Sequence, residues 1–214
     1  MENRINQTEL EQMDRIKRLN LINSLSGYKS ANLIGTKSPA GISNLTIISS
    51  LIHLSSSPAL LGFMQRPTTV PRHTYTNIVN TGIFTVNQVN KDFVASAHYT
   101  SAKFEQEESE FEKCGFTEEY KDNFYAPFVK HSHLKLSVRF VEEIHIKASN
   151  TILMVGAIEN IYLPGDVLLS DGQIDLNKMD AVCVSGLNNY HVAKHIASFS
   201  YARPGQFPQN EMIT

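Results

Sequence analysis

The sequence predicts a mainly β protein, an antiparallel barrel with short peripheral helices and a helical arm at its N-terminus. Apolar segments with alternating polar residues recur after residue 30, most clearly at residues 133–146 and 151–162. Turn sequences such as Lys37-Ser-Pro-Ala-Gly41 and Asp171-Gly172 separate neighbouring segments. Strands joined mostly by hairpins favour a closed antiparallel barrel.

The chain divides into an arm, residues 1–27, and a barrel domain, residues 28–214. Apolar residues recur at helical spacing within the arm, which predicts one helix over residues 8–25. Thr8 and Glu11 have the spacing of a capping box at its start. We therefore expect a single capped helix before the barrel.

Strands and short helices alternate along the barrel domain. We expect strands at residues 32–36, 42–54, 59–64, 83–89, 133–146 and 151–162, and helices at residues 74–80, 91–104 and 107–113. Gly156 interrupts the last of these strands, which indicates a bulge or a close approach to another group. A run of acidic residues from Glu105 to Glu112 predicts a solvated helix face.

Composition and charge argue against several classes of partner. The chain is 42% apolar and 19% charged, which is ordinary for a globular protein. Its net charge of −2 gives no electrostatic basis for binding nucleic acid or a membrane surface. The most apolar window, residues 45–54, is too short to span a bilayer. We expect no nucleic-acid or membrane partner.

The N-terminus and the cysteines predict the compartment. The first residues lack the apolar core of a signal peptide. Cys114 and Cys183 lie far apart and outside any Cys-x-x-Cys pattern, which favours two inert thiols over a disulfide. We therefore expect a cytoplasmic protein.

A basic loop before the helix at residues 74–80 has the chemistry of a phosphate site. Arg66 and Arg72 supply guanidinium groups, and threonines between them supply neutral donors. Thr74 could cap the helix, whose N-terminal dipole favours an anion. Arginines in loops are usually solvated charges, and the spacing leaves open which of the two would bind the phosphate.

Four segments in a fixed order carry a resemblance to a known family. They are Asn44-Leu-Thr-Ile-Ile-Ser49, Ser57-Pro58 at the start of a strand, Arg72-His-Thr74-Tyr-Thr-Asn77-Ile78, and Thr81-Gly82-Ile-Phe84-Thr-Val-Asn87. The chain thereby resembles the flavin reductase-like, FMN-binding split-barrel family, especially its flavoredoxin-like branch. Later segments, including Gly186-Leu-Asn-Asn-Tyr190, extend the resemblance over most of the chain after residue 30. The resemblance selects the split barrel among small barrels, which periodicity alone does not.

The resemblance also implies a set of cofactor-binding residues. They are Asn44, Thr46, Ser49 and Ser50 for the pyrimidine edge and ribityl chain of FMN, Arg66, Arg72 and Thr74 for its phosphate, and Asn77 in the same motif. Without the resemblance, small polar residues in an apolar strand would be solvent-facing or hydrogen-bonded positions at a barrel rim. The family further implies a homodimer whose partner subunit closes over the flavin, with NAD(P)H as a possible co-substrate.

Other common sites lack support in the sequence. Gly-x-Ser-x-Gly, the Walker loop and Gly-x-Gly-x-x-Gly are absent, which argues against an α/β hydrolase, a P-loop NTPase and a Rossmann dehydrogenase. His131 and His133 would share a strand face, and His191 and His195 a helix face. Neither pair has a third ligand at a familiar spacing, so we expect no metal site.

Two functions remain from the sequence. The first is an oxidoreductase that passes electrons from NAD(P)H through bound FMN to free flavin or another acceptor. The second is a flavoredoxin-like electron-transfer protein that binds FMN without an efficient NAD(P)H site. Several reductases of the family carry a histidine where this chain has Asn150, and an amide cannot change charge near neutral pH. No side chain is assigned a catalytic role.

Overall fold

The computed structural model describes residues 2–208 and 210–211 of the chain. The helices are α1 (Gln7–Gln12), α2 (Arg15–Ser24), α3 (His73–Thr81), α4 (Val94–Tyr99) and α5 (Glu110–Lys113). The strands are β1 (Lys29–Ser30), β2 (Asn32–Lys37), β3 (Ser43–Ile48), β4 (Ile52–Ser56), β5 (Ala59–Gln65), β6 (Ile83–Gln88), β7 (Glu118–Glu119), β8 (Phe128–Val129), β9 (Lys135–Ile146), β10 (Thr151–Tyr162), β11 (Val182–Ser185), β12 (Asn189–Val192), β13 (Ser198–Phe199) and β14 (Asn210–Glu211).

Seven strands form one antiparallel sheet in the order β3-β2-β6-β9-β10-β5-β4. Its two edge strands, β3 and β4, follow each other in the chain with only residues 49–51 between them. The sheet must therefore curl until its edges approach at that end. A second sheet, β1-β11-β12, adjoins it through the bridge between Asn90 and Ala181. The mainly antiparallel β prediction with peripheral helices is confirmed.

The large sheet separates two apolar clusters. Alternation along β2 shows this directly, because Leu33 belongs to one cluster and Ile34 to the other. The inner cluster contains Phe63 and Phe84, whose rings meet edge to face with centroids 5.7 Å apart. The outer cluster lies beneath α4 and α5 and includes Phe111. Successive residues of β2 thus face the barrel interior and the helical cover in turn.

Gly156 fulfils both sequence-based expectations. The β9–β10 register shifts between Val155 and Gly156, as at a bulge. A Cβ at this position would lie 2.8 Å from Cζ of Phe84 and against a methyl group of Val138. Only glycine allows this strand to cross the inner cluster so closely.

The edge strand β3 is sealed by side chains from the helical cover. The Leu45 N–H donates to Oε2 of Glu110 at 3.0 Å, and the Ile47 N–H donates to Oγ1 of Thr100 at 2.9 Å. Burial raises the pKa of the Glu110 carboxyl, although the Leu45 N–H opposes that shift. The prediction that this residue lies on a solvated helix face is wrong, because its carboxylate completes the hydrogen bonds of a strand edge.

The other edge strand, β4, is exposed. Its apolar residues Ile52 and Leu54 are 46% and 37% exposed, and Ile52 lines an apolar groove with the β5 side of the hairpin. We call this the β4–β5 groove; it is lined by residues between 51 and 61 and by Ile158. Its volume is about 440 Å³. The two edges of one sheet therefore end in different surroundings.

Several predicted elements differ from those observed. The single arm helix is two helices, because the Asp14 side chain accepts hydrogen bonds from the N–H groups of Ile16 and Lys17 and starts α2 anew. The capping box at the start of α1 joins Asn6 and Glu9, not Thr8 and Glu11. The strand expected over residues 42–54 is broken into β3 and β4 by the bend at residues 49–51.

The remaining differences concern short helices and the arm. The helix expected over residues 91–104 is a 3₁₀ turn followed by α4, and the helix expected over residues 107–113 is the shorter α5. His191 lies on β12 rather than on a helix. Every residue of α1 and α2 is at least partly exposed. The division of the chain into an arm and a barrel domain at residue 27 stays a prediction. Within the described residues, none of the helices is long and apolar enough to cross a membrane.

Candidate functional site

Two buried amide–hydroxyl pairs fix helix α3 against the first hairpin of the barrel. Nδ2 of Asn44 donates to Oγ1 of Thr74 at 2.9 Å, and Nδ2 of Asn77 donates to Oγ1 of Thr36 at 3.1 Å. Thr36 and Asn44 lie directly opposite each other in the β2–β3 ladder. The two hydrogen bonds act as rungs that set the position of the first two turns of α3. Thr36 was not among the predicted site residues, although its register opposite Asn44 could have indicated it.

The N-terminus of α3 is open. The helix begins at His73 with Arg72 as its N-cap, and among the described residues no side chain caps it. The expectation that Thr74 caps the helix is wrong, because its hydroxyl lies in the first turn and accepts the hydrogen bond from Asn44. Backbone N–H groups at an uncapped helix start, together with the helix dipole, favour an anion.

The two predicted arginines lie at the two ends of the loop between β5 and α3. Arg66 is exposed and directly follows β5. Arg72 is half-buried, and its Nε donates to the carbonyl oxygen of Pro67 at 3.3 Å, which holds its side chain against the loop. Arg72 is thus the N-cap residue of α3, whereas Arg66 lies at the far end of the loop, and the choice between them stays open.

A polar ledge, consisting of Asn44, Thr46, Ser49 and Ser50, extends from this helix start along β3. Thr46, Ser49 and Ser50 are half-buried, whereas Asn44 is buried against α3. The four residue steps from Asn44 to Ile48, where β3 ends, cover roughly 13 Å at the rise of a strand, and Ser49 and Ser50 follow in the bend. The ledge is therefore long enough for an extended ligand.

One ledge residue has a structural partner of its own. Oγ of Ser50 accepts a hydrogen bond from the Met64 N–H at 3.1 Å. This contact joins the bend after β3 to the end of β5, shortly before Arg66. Ser50 therefore helps to close the barrel at the rim where the basic loop begins.

Asn150 lies close to the same loop. It precedes β10, whose Ile152 is paired with Gln65 at the end of β5. Its φ of +54° falls in the left-handed region, which asparagine tolerates better than most residues. The turn before β10 thus supplies a conformational reason for asparagine at this position.

His98, His191 and Cys114 lie in other parts of the fold, whereas His73 is the first residue of α3. In the part of the chain that the structure describes, no three His, Cys, Asp or Glu residues are grouped as metal ligands. His191 contacts Oγ of Ser185 at 2.9 Å, and His98 contacts the Tyr190 hydroxyl at 2.9 Å. Burial raises the pKa of the Cys114 thiol to about 11, which keeps that sulfur protonated and unreactive at neutral pH.

Comparison with known proteins decides the family. The sequence profile of the flavin reductase like domain matches residues 26–175. The chain belongs to the flavin reductase-like family. A candidate flavin reductase with a split-barrel domain from Shewanella frigidimarina is 43% identical, with a TM-score of 0.91 over 94% of this chain and 100% of that chain. The split-barrel fold expected from the sequence is thereby confirmed.

More distant members of the fold have the same architecture. Nitrilotriacetate monooxygenase component B from Bacillus cereus is 18% identical, with a TM-score of 0.80 over 92% of this chain and 98% of that chain. Flavoredoxin of Desulfovibrio vulgaris is 21% identical, with a TM-score of 0.69 over 84% of this chain and 92% of that chain. Membership of the flavin reductase-like family implies flavin binding, and the uncapped start of α3 after Arg72 can accept an anionic group.

Proposed function

We propose that this flavin reductase-like protein is an FMN-binding oxidoreductase that passes electrons from NAD(P)H through bound FMN to free flavin or another acceptor. The observation that carries the proposal is the uncapped start of α3 directly after Arg72, at one end of the polar ledge, with Arg66 at the other end of the same loop. A terminal phosphate dianion gains most from such a combination of helix N–H groups and guanidinium groups. FMN ends in a dianion of this kind, which favours it over FAD.

Each group of residues has a role in this proposal. The first-turn N–H groups of α3 and one or both arginines bind the phosphate. Hydroxyl groups of Thr46 and Ser49 hydrogen-bond the ribityl chain and the pyrimidine edge, while Asn44 and Asn77 hold α3 in place through the two rungs. When bound, the flavin would supply the redox chemistry. The protein contributes orientation and limits the access of oxygen.

A matched pair of variants tests the phosphate site. Thr74→Val and Thr36→Val each leave one buried asparagine amide without its hydroxyl acceptor, so both should lower the free energy of unfolding by about 1–3 kcal/mol. Only Thr74 lies in the first turn of α3, where its hydroxyl can also donate to the phosphate, so only its replacement should weaken FMN binding, by about 1–2 kcal/mol. Arg66→Ala combined with Arg72→Ala should weaken it further. Fluorescence titration with FMN measures the affinity of each of these variants. Unchanged affinities of Thr74→Val and of the double arginine variant would mean that the loop does not bind the phosphate.

We further propose a homodimer with its FMN sites at or near the interface. A flavin needs walls beyond the rim of one small barrel, and the arm helices and the last described residues leave large apolar side chains exposed. A two-fold pairing is the commonest way to cover such surfaces. Sedimentation at micromolar concentration, with and without FMN, tests this. A chain that is monomeric throughout and still binds FMN tightly would exclude the interface site.

NAD(P)H should reduce the bound flavin slowly. Asn150 offers an amide but no ionisable group at this place. Asn150→His should speed reduction, and histidine is tolerated at a positive φ. Asn150→Gly is the matched control, because it keeps the backbone conformation without offering an imidazole. Stopped-flow absorbance with NADH and NADPH distinguishes the variants; equal rates in all three would contradict the assignment.

A flavoredoxin-like electron-transfer role is the second candidate. The exposed amide of Asn150 favours it, because that side chain cannot exchange a proton near neutral pH. In this case the holoprotein would exchange electrons with a protein or chemical donor but would react with neither NADH nor NADPH. The same stopped-flow measurement separates the two functions.

A further inference from the structure

The C-terminal tail, residues 196–208, leaves its largest side chains in solvent. Ile196, Phe199, Tyr201 and Phe207 are between 57% and 94% exposed. Arg203 is the one charged residue within this segment. Aromatic segments with little charge are typical of the core of a protein interface. The tail therefore has the composition of a buried segment without the cover that burial requires.

The β4–β5 groove is an apolar depression that the tail of the same chain does not fill. It has a volume of about 440 Å³ and opens at the exposed edge of the large sheet. All its lining residues belong to the segment from 51 to 61 or to Ile158, so the tail of the same chain does not line it. The groove carries no carboxylate or guanidinium among its lining residues, which matches the low charge of the tail.

The tail and the groove belong to different parts of the fold. The tail leaves the small β1-β11-β12 sheet after Val192, at the end of β12. That sheet adjoins the barrel beside β6, through Asn90, whereas the groove lies at the β4 edge. In a two-fold symmetric dimer, the tail of each subunit can pack in the groove of the other, so that the dimer has two equivalent contacts.

We propose that the tail of one subunit packs into the β4–β5 groove of a second copy of this chain. The inference rests on the homodimer proposed above and names the two surfaces that form it. The groove starts at Leu51, immediately after Ser49 and Ser50 of the polar ledge. The partner's tail thereby supplies a wall beside the flavin site, which a single chain leaves open.

The arm is the competing occupant, and its chemistry fits less well. Helix α2 also exposes an apolar stripe, formed by Ile16, Leu19 and Ile22. The same short helix carries Arg15, Lys17 and Arg18, and the groove offers no acidic side chain to pair with them. The tail brings more aromatic surface and a single charge.

Complementation between two variants tests the proposal. The groove variant is Ile52→Glu, which places a charge in the groove at an already exposed position. The tail variant combines Tyr201→Ser and Phe207→Ser, both at exposed positions. Each variant alone should raise the dimer dissociation constant at least about tenfold, the scale of losing interface anchors. Leu168→Ser, at an exposed loop position outside tail and groove, is the matched control and should leave the constant unchanged.

A mixture of the two variants decides between packing in trans and in cis. A mixed dimer has one intact contact, because the tail of the groove variant meets the groove of the tail variant. The mixture should therefore dimerise more tightly than either variant alone, as measured by sedimentation velocity with one variant fluorescently labelled. Failure of the mixture to exceed the single variants would overturn the proposal.

Other outcomes separate this inference from the homodimer itself. A monomeric wild type would overturn both the homodimer and the tail contact. A dimer that neither variant weakens would leave the homodimer standing and overturn the assignment of tail and groove. A dimer weakened instead by Leu19→Ser would assign the groove to the arm and overturn the role of the tail. FMN titration of each variant reports independently on the flavin site.

Discussion

The two edges of the large sheet solve the same physical problem in different ways. At the β3 edge, Glu110 and Thr100 accept the outward-facing N–H groups of Leu45 and Ile47. At the β4 edge, apolar residues face solvent beside a groove. An unpaired edge is a surface for association, and natural proteins usually cover it. The contrast teaches that this chain seals one edge with its own downstream helices and leaves the other available.

The sealed edge should depend strongly on one carboxylate. Glu110→Ala leaves the Leu45 N–H buried without an acceptor, which should lower the free energy of unfolding by about 1–3 kcal/mol. Urea denaturation followed by circular dichroism measures the change. Glu112→Ala, two positions away and exposed, is the matched control. Equal stability of the two variants would mean that the contact does not seal the edge.

The hydroxyl partner at the same edge should matter less. Thr100→Val removes the acceptor of the Ile47 N–H, which is only partly buried and can recruit water. We expect a loss of about 1 kcal/mol in the free energy of unfolding, the net value of an ordinary hydrogen bond. Thr100→Ser should retain most of that contribution. A loss from Thr100→Ser as large as that from Thr100→Val would assign the effect to the methyl group instead.

The buried carboxyl should also give the sealed edge a pH dependence. Burial raises the pKa of Glu110 in the folded chain, so its contribution to stability is fully present below the unfolded pKa. That contribution is lost as the pH rises through the folded pKa. Glu110→Gln keeps an acceptor for Leu45 but cannot ionise, so it should gain stability relative to wild type from pH 4 towards pH 7. A constant difference between the two curves would contradict this.

Substitutions at the exposed β4 edge should change the stability of the monomer least. Ile52→Ser removes an exposed side chain and should change the free energy of unfolding of the monomer by less than about 0.5 kcal/mol. Its effect should instead lie in concentration dependence. The unfolding midpoint of wild type should rise with protein concentration, because association stabilises the folded state, and that of the variant should rise less. Thermal unfolding over a hundredfold concentration range tests both statements.

The sequence predicted the elements whose signal is local. The long strands β9 and β10 alternate clearly, Gly156 marks the crossing of Phe84, and the order of motifs identifies the family. Glu110 was misassigned, because in the sequence it is one member of an acidic run. Its burial follows from the distant strand β3, and no local pattern records that contact.

The candidate site was predictable in part for the same reason. The motif brought Asn44 and Thr74 together, and the structure places them in one hydrogen bond. The hydroxyl of Thr74 was expected to cap α3, which depends on where the helix begins, and helix boundaries are weakly encoded. Arg66 and Arg72 lie at opposite ends of an irregular loop with no periodic pattern, so the sequence did not distinguish which of them would serve the helix start.

The two buried hydrogen bonds that hold α3 against β2 and β3 make the position of the helix independent of the basic loop before it. Because Asn44 and Thr36 position the helix from the strands, the seven residues from Arg66 to Arg72 need not hold it. Loops anchored at both ends tolerate changes in length at a small entropic penalty, about 0.6 kcal/mol for each doubling. The helix start therefore offers a graft site, at which loops of other length and charge could redirect the same scaffold to a different anionic cofactor.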